Sequence, residues 1–182
     1  YEARYKDRQG KMQKANPRLS LGSMGKAGIV VQEGLDPRTL WLAEGLETAL
    51  SVAQALPHQY VVATTSAERL KSIAPQAGVE RVVICADQDG PQAQSYQSVL
   101  KAAEQYLKQG LRVFIAMPKP LEGFEKVDFN DVLKHSGVSE VQKILEQKVE
   151  MKSLESLNQA KMDLPKALAN SRQPKVEAIH RE

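Results

Sequence analysis

A single cysteine, Cys85, is all the thiol this chain has. That excludes a disulfide framework and any metal centre built on several cysteines. Cys85 lies inside an apolar run and reads as a core residue. The three histidines, His58, His135 and His180, are scattered and form no zinc-binding pattern with it. No run of roughly 18 apolar residues occurs, so a membrane-spanning helix is not expected. No signal peptide is recognisable either, and a reducing cytoplasm is the expected compartment. The chain opens on Tyr1 rather than Met, from which we expect a fragment of a longer protein.

What is present fits a soluble α/β domain with tails. The chain has 182 residues, 42% of them hydrophobic and 26% charged, with a net charge of +3. The charge is unevenly spread. Residues 1–26 carry seven basic residues against Glu2 and Asp7, a net of +5, which leaves the remainder at −2. A basic arm on a slightly acidic body suits contact with nucleic acid, and equally suits a solvated linker. Lys11, Lys14, Arg18 and Lys26 are the candidate nucleic-acid contacts.

Apolar runs alternate with helical patterns through the middle of the chain. Residues 27–32, 39–43, 60–63, 81–86 and 111–116 read as strands, the first two pairing as a hairpin. Leu46, Ala49, Leu50, Val52, Ala53 and Leu56 form a helical stripe, as do Tyr96, Val99, Leu100, Ala103 and Leu107 on a helix over about 91–109. Thr64-Thr65-Ser66 offers caps for a short helix, and Gly110 a C-terminal stop. Helices also begin near Asp128 and cover about 138–148. Strands alternating with helices imply a mostly parallel sheet covered on both faces. The expected division is a loosely ordered basic arm or the end of a preceding domain over 1–25, an α/β domain over 26–148, and a peripheral helix or disordered tail over 149–182.

The chemistry concentrates in carboxylates that follow apolar strands. Glu44-Gly45 ends one strand, Asp87-Gln88-Asp89-Gly90 ends another, and Asp128 and Asp131 follow the last after a loop. In an open α/β sheet such strand ends share one edge, where ligands bind. Asp87 and Asp89 project to the same side of an extended chain. Like charges held together raise each other's pKa unless a cation lies between them. Mg²⁺, a hard ion that takes one or two carboxylates and completes its shell with water and phosphate oxygens, is the natural occupant, with Mn²⁺ as its substitute. Glu44, Asp87, Asp89 and Asp128 are the candidate metal ligands. Glu44, Asp87 and Asp89 are the candidate catalytic residues for phosphoryl transfer, with Glu44 either on a second ion or acting as general acid and base. Asp128 also reads as a plain helix cap.

These residues sit in recognisable surroundings. Leu40-Trp41-Leu42-Ala43-Glu44-Gly45-Leu46-Glu47-Thr48-Ala49-Leu50-Ser51 resembles the first motif of Toprim domains, the module shared by topoisomerases and bacterial-type primases. Val83-Ile84-Cys85-Ala86-Asp87-Gln88-Asp89-Gly90 resembles their Asp-x-Asp motif. The segment from Lys126 to Leu133 and the glycine-rich stretch from Ser20 to Gly28 are similar to segments of primases from satellite phages and mobile elements. The resemblance covers about residues 20–135. It implies a Rossmann-like Toprim sheet flanked by helices, Glu44 in acid–base or metal chemistry, and Asp87 and Asp89 as Mg²⁺ ligands, with Asp128 a further contributor. It implies a DNA replication or conjugative-transfer protein with primer synthesis as the activity, a primase-type nucleotidyltransferase. A Toprim nuclease is the alternative enzyme. Single-stranded DNA, nucleotides and other domains of a larger parent protein are the implied partners, and no membrane. Toprim domains also occur at the C-terminal part of conjugative relaxases, which leaves a non-catalytic DNA-binding or assembly module as the alternative role. The zinc-binding segment and extra N-terminal subdomain usual in a working primase have no counterpart here.

Overall fold

A computed structural model describes residues 4–6, 9–14, 25–89 and 93–153. Its centre is a six-stranded sheet in the order β3-β5-β4-β6-β7-β8. The strands are β3 (Ile29–Gln32), β4 (Thr39–Ala43), β5 (Tyr60–Ala63), β6 (Arg81–Cys85), β7 (Arg112–Ala116) and β8 (Val149–Met151). The inner four, β5, β4, β6 and β7, run parallel. The edge strands β3 and β8 are antiparallel to their neighbours. A mostly parallel α/β sheet was expected, and the near-continuous apolar runs of β4, β5 and β6 are its cause, because such strands must be covered on both faces.

The period-two alternation of these strands divides the core. Leu40, Leu42, Val82, Ile84 and Val113 face helix α2 (Gln94–Lys108) and a 3-10 helix over Ala67–Ser72. Trp41, Ala43, Val83 and Cys85 face α1 (Leu46–Ala55), α3 (Phe129–Ser136) and α4 (Val138–Glu146). Tyr106 ties the first layer together: its buried hydroxyl donates to the carbonyls of Leu70 at 2.6 Å and Ile73 at 3.0 Å. Gly110 adopts a φ of +81° just after α2, a left-handed turn that ends the helix as expected. Cys85 is fully buried, which pushes its thiol pKa up and leaves it a core residue.

Three expectations need correction. β3 does not form a hairpin with β4; it pairs with β5, because Gly28 lets the chain pass close against β5, where any Cβ would meet the Ala63 carbonyl oxygen at 2.9 Å. Residues 1–25 are not wholly loose: β1 (Arg4–Lys6) and β2 (Met12–Lys14) pair as an antiparallel two-stranded sheet. The apolar stripe of α1 is rotated. Leu46 and Leu50 are exposed, while Thr48, Ala49, Ser51, Val52 and Ala55 are buried. Small side chains let α1 approach the sheet closely, and the two hydroxyls are satisfied there, Ser51 by the Glu47 carbonyl and Thr48 by Asp87.

The boundary expected at residue 148 falls just before β8, whose Val149 and Met151 pair with Ile115 and Val113, so the sheet continues past it. The Ser20–Gly28 stretch up to Met24, Arg18, Gly90 and the tail beyond Ser153 lie outside the described residues. Among the described residues no helix is long and apolar enough to cross a membrane.

Candidate metal and phosphoryl-transfer site

The parallel strands β4 and β6 lie side by side, with Ala43 paired to Cys85. Their next residues therefore emerge together at the C-terminal edge of the sheet. Glu44 follows Ala43 at once. Its carboxylate accepts a hydrogen bond from the Ala67 backbone N–H at the start of the 3-10 helix. Asp87 stands two residues beyond Cys85, and its Oδ1 accepts from the Thr48 hydroxyl of α1 at 3.2 Å.

The loop after β7 completes the site. Gln88 and Val127 form an isolated antiparallel bridge, with Gln88 N–H donating to Val127 at 2.7 Å and Val127 N–H donating back at 3.1 Å. That bridge delivers the neighbours of Val127 to the sheet edge. Lys126 brings its Nζ to 3.4 Å from Asp89 Oδ1, and the Ser95 hydroxyl donates to Asp89 Oδ2 at 2.8 Å. Asp128 caps α3: its Oδ1 accepts from Asp131 N–H at 2.7 Å, and Asp131 Oδ2 accepts from Asp128 N–H at 3.1 Å. This is a reciprocal capping box made by two aspartates.

Electrostatics also link the carboxylates. Burial, and then the charges of Glu44 and Asp128, push Asp87 up to about 7, against only a partial offset from Thr48. Glu44 is raised by burial and by Asp89, with Lys126 opposing. Asp128 is raised by burial. The structure thus brings Glu44, Asp128 and Asp89 within electrostatic reach of Asp87, and Asp89 within reach of Glu44. Among the described residues no three acidic, histidine or cysteine side chains converge closely enough to cage an ion by themselves. Magnesium does not require such a cage, since it commonly takes one or two carboxylates and fills its shell with water and phosphate oxygens. A half-buried carboxyl raised to about 7 by burial and then by neighbouring carboxylates is a donor whose ionised form such an ion would favour, so the residues fit the group.

Four contributors were not assigned a role from the sequence: Thr48, Ser95, Lys126 and Gln88. Thr48 and Lys126 sat inside recognised motifs, but nothing in their spacing said which way they point. Among the basic candidates, Lys11 and Lys26 are exposed, Lys14 belongs to β2, and Arg18 lies outside the described residues.

Comparison with known proteins bears on the family and the fold. A family model described as Toprim domain matches residues 39–139, which hold Glu44, Asp87, Asp89 and Asp128. The fold is similar to a DnaG primase catalytic domain bound to single-stranded DNA, at 17% identity and a TM-score of 0.52, covering 88% of this chain and 49% of that one. It is also similar to the zinc-binding and RNA polymerase domains of the Aquifex aeolicus primase, at 16% identity and a TM-score of 0.51, covering 91% of this chain and 41% of that one. The chain therefore spans about half the length of the primase structures it matches. No curated protein matches it.

Proposed function

The chain belongs to the Toprim domain family, and from that premise we propose that it carries out phosphoryl transfer on nucleic acid with Mg²⁺ or Mn²⁺, in the form of primer synthesis on single-stranded DNA. The carrying observation is Asp87, a carboxyl raised to about 7 by burial and by Glu44, Asp128 and Asp89. In this reading Asp87 and Asp89 hold the divalent ion, and Thr48 and Ser95 orient their carboxylates through the bonds described above. Asp128 adds negative charge from the cap of α3. The bound ion supplies charge neutralisation for the phosphates. Nucleotides and single-stranded DNA are the substrates, and a reducing cytoplasm the setting.

The chemical step is an exchange at phosphorus. The 3′ hydroxyl oxygen of the growing chain bonds to the α-phosphorus of a nucleoside triphosphate, and the bond from that phosphorus to the pyrophosphate oxygen breaks. The hydroxyl proton passes to Glu44, whose pKa is raised by burial and then by the charge of Asp89. Lys126, which opposes the rise of Glu44 and pairs with Asp89, steadies the negative charge around the ion. The test is ribonucleotide polymerisation on a single-stranded template by the parent protein. Asp87→Ala should abolish it. No synthesis by the intact parent with either metal would overturn the reading, and plasmid nicking instead would point to a nuclease.

A second reading draws on the exposed Lys11 and Lys26. It makes the chain a DNA-binding or assembly module of a larger relaxase or mobilisation protein. Salt-dependent DNA binding would then survive loss of Asp87 and Asp89 and fall when Lys11, Lys14, Arg18 and Lys26 are neutralised.

A further inference from the structure

A cavity of about 420 Å³ opens at the end of the sheet opposite the carboxylate edge. It lies against Thr39, Arg81 and Arg112, the first residues of the parallel strands β4, β6 and β7. Strands of five residues separate it from the carboxylate edge by about 15 Å. The two sites are therefore distinct.

The cavity is lined by three cations, Arg81, Arg112 and Lys148, and by one carboxylate, Asp36. Asp36 is already engaged by Arg38, whose Nε lies 3.0 Å from Oδ1. Arg112 pairs with Glu150 at 2.9 Å and stands 5.3 Å over the Phe114 ring. Lys148 rests its Nζ 5.6 Å from the Trp41 ring and 5.9 Å from that of Phe114. Its ammonium also reaches the Leu145 carbonyl at 3.4 Å. Arg81 carries the most telling feature: its Nε is buried and has no hydrogen-bond partner among the described residues. A buried guanidinium donor left unmatched is costly, and among the described residues this one has no acceptor.

We propose that this cavity binds a small phosphate-type anion, pyrophosphate or the polyphosphate tail of a nucleotide. Guanidinium groups suit such oxyanions because their fork matches two phosphate oxygens at once. An anion here sits among the guanidinium groups of Arg81 and Arg112 and the ammonium of Lys148, which line the cavity. A nucleic-acid strand fits less well. It needs a continuous groove and open aromatic faces for its bases, whereas Trp41 is only 6% exposed and both rings are already covered by cations.

Trp41 is the only tryptophan in the chain and lines this cavity, so its emission can report on binding there. The test is a fluorescence titration of the full chain with pyrophosphate, in chelator and at constant ionic strength, repeated by calorimetry. A saturable change in Trp41 emission is expected. It should weaken at least tenfold in Arg81→Gln and in Lys148→Gln, and persist within twofold in Asp87→Asn. Lys148 is half-buried and outside the strand ladder of β6, so its variant carries the test if Arg81→Gln does not fold. Competition by ATP would assign the nucleotide tail, and its failure to compete a free anion; either upholds the site. No saturable response at millimolar pyrophosphate would overturn the proposal, as would undiminished affinity in a folded Lys148→Gln. So would a response to a single-stranded oligonucleotide where pyrophosphate gives none.

Discussion

The Thr48 hydroxyl donates to Asp87 Oδ1 at 3.2 Å, joining α1 to the exit of β6 across 39 positions of sequence. This bond favours the charged carboxylate and works against burial, the larger influence, which favours the neutral acid. Thr48 is itself buried, so Thr48→Val keeps the volume and removes the donor. The expected result is an Asp87 carboxyl that titrates higher still, by up to about one pH unit. Carbon-detected NMR of the Asp87 side chain measures it. A carboxyl that titrates lower in Thr48→Val would sink this account of the bond.

Asp87 also makes stability depend on pH. Its folded-state value of about 7 lies above the ordinary 3.8, so between those limits the folded chain holds a proton that the unfolded chain has released. Stability from this group is therefore fully present below about pH 4 and lost as pH rises through about 7. Asp87→Asn removes that loss. At pH 8 the variant should be more stable by on the order of 2 kcal/mol, or about 5 °C in Tm. Near pH 4 the two chains should melt together. A Tm for Asp87→Asn below wild type at pH 8 would contradict the electrostatic picture.

The same proton opposes a divalent ion. An ion held by Asp87 must displace it, so binding should strengthen between pH 6 and pH 8 around the carboxyl's value of about 7. Millimolar Mg²⁺ or Mn²⁺ should raise the Tm of the wild type at pH 8 and do so less at pH 6, because ligands that bind only the folded state stabilise it by mass action. Asp87→Asn should lose most of the effect at either pH. An equal rise in wild type and variant would place the ion elsewhere.

Much of this was legible in the sequence, for reasons that differ by element. The runs Leu40–Ala43 and Val82–Cys85 are apolar without alternation, short and flanked by turn residues, which suits a strand buried on both faces, so the parallel centre of the sheet and the shared edge carrying Glu44 and Asp87 followed. The partner of β3 did not follow. Adjacency in sequence favours a hairpin, and only the close pass at Gly28 shows that β5 is the neighbour. The face of α1 was misread because hydrophobicity placed Leu46 and Leu50 inward, whereas Thr48 is held inside by Asp87, a partner invisible to periodicity. Lys126 was hidden for a similar reason: the Gln88–Val127 bridge that delivers it belongs to no regular strand.

Asp128 had two readings from the sequence, cap and acidic contributor, and the structure gives it the bonds of the first and the field of the second. It accepts from Asp131 N–H at 2.7 Å while its charge helps raise Asp87. Two substitutions separate these roles. Asp128→Ala loses both, and should cost about 1 kcal/mol from the missing cap, or roughly 3 °C in Tm. Asp128→Asn keeps an oxygen that accepts from Asp131 and should stay within a few tenths of a kcal/mol of wild type, since Asn and Asp cap about equally well. Yet it removes one of the charges facing Asp87, so the Asp87 carboxyl should titrate below its present value of about 7 in that variant. Thermal melts and the NMR titration together decide the matter. If Asn destabilises as much as Ala, the capping box is not what holds the start of α3. If Asp87 titrates unchanged in Asp128→Asn, Asp128 is a cap alone and adds nothing to the carboxylate edge.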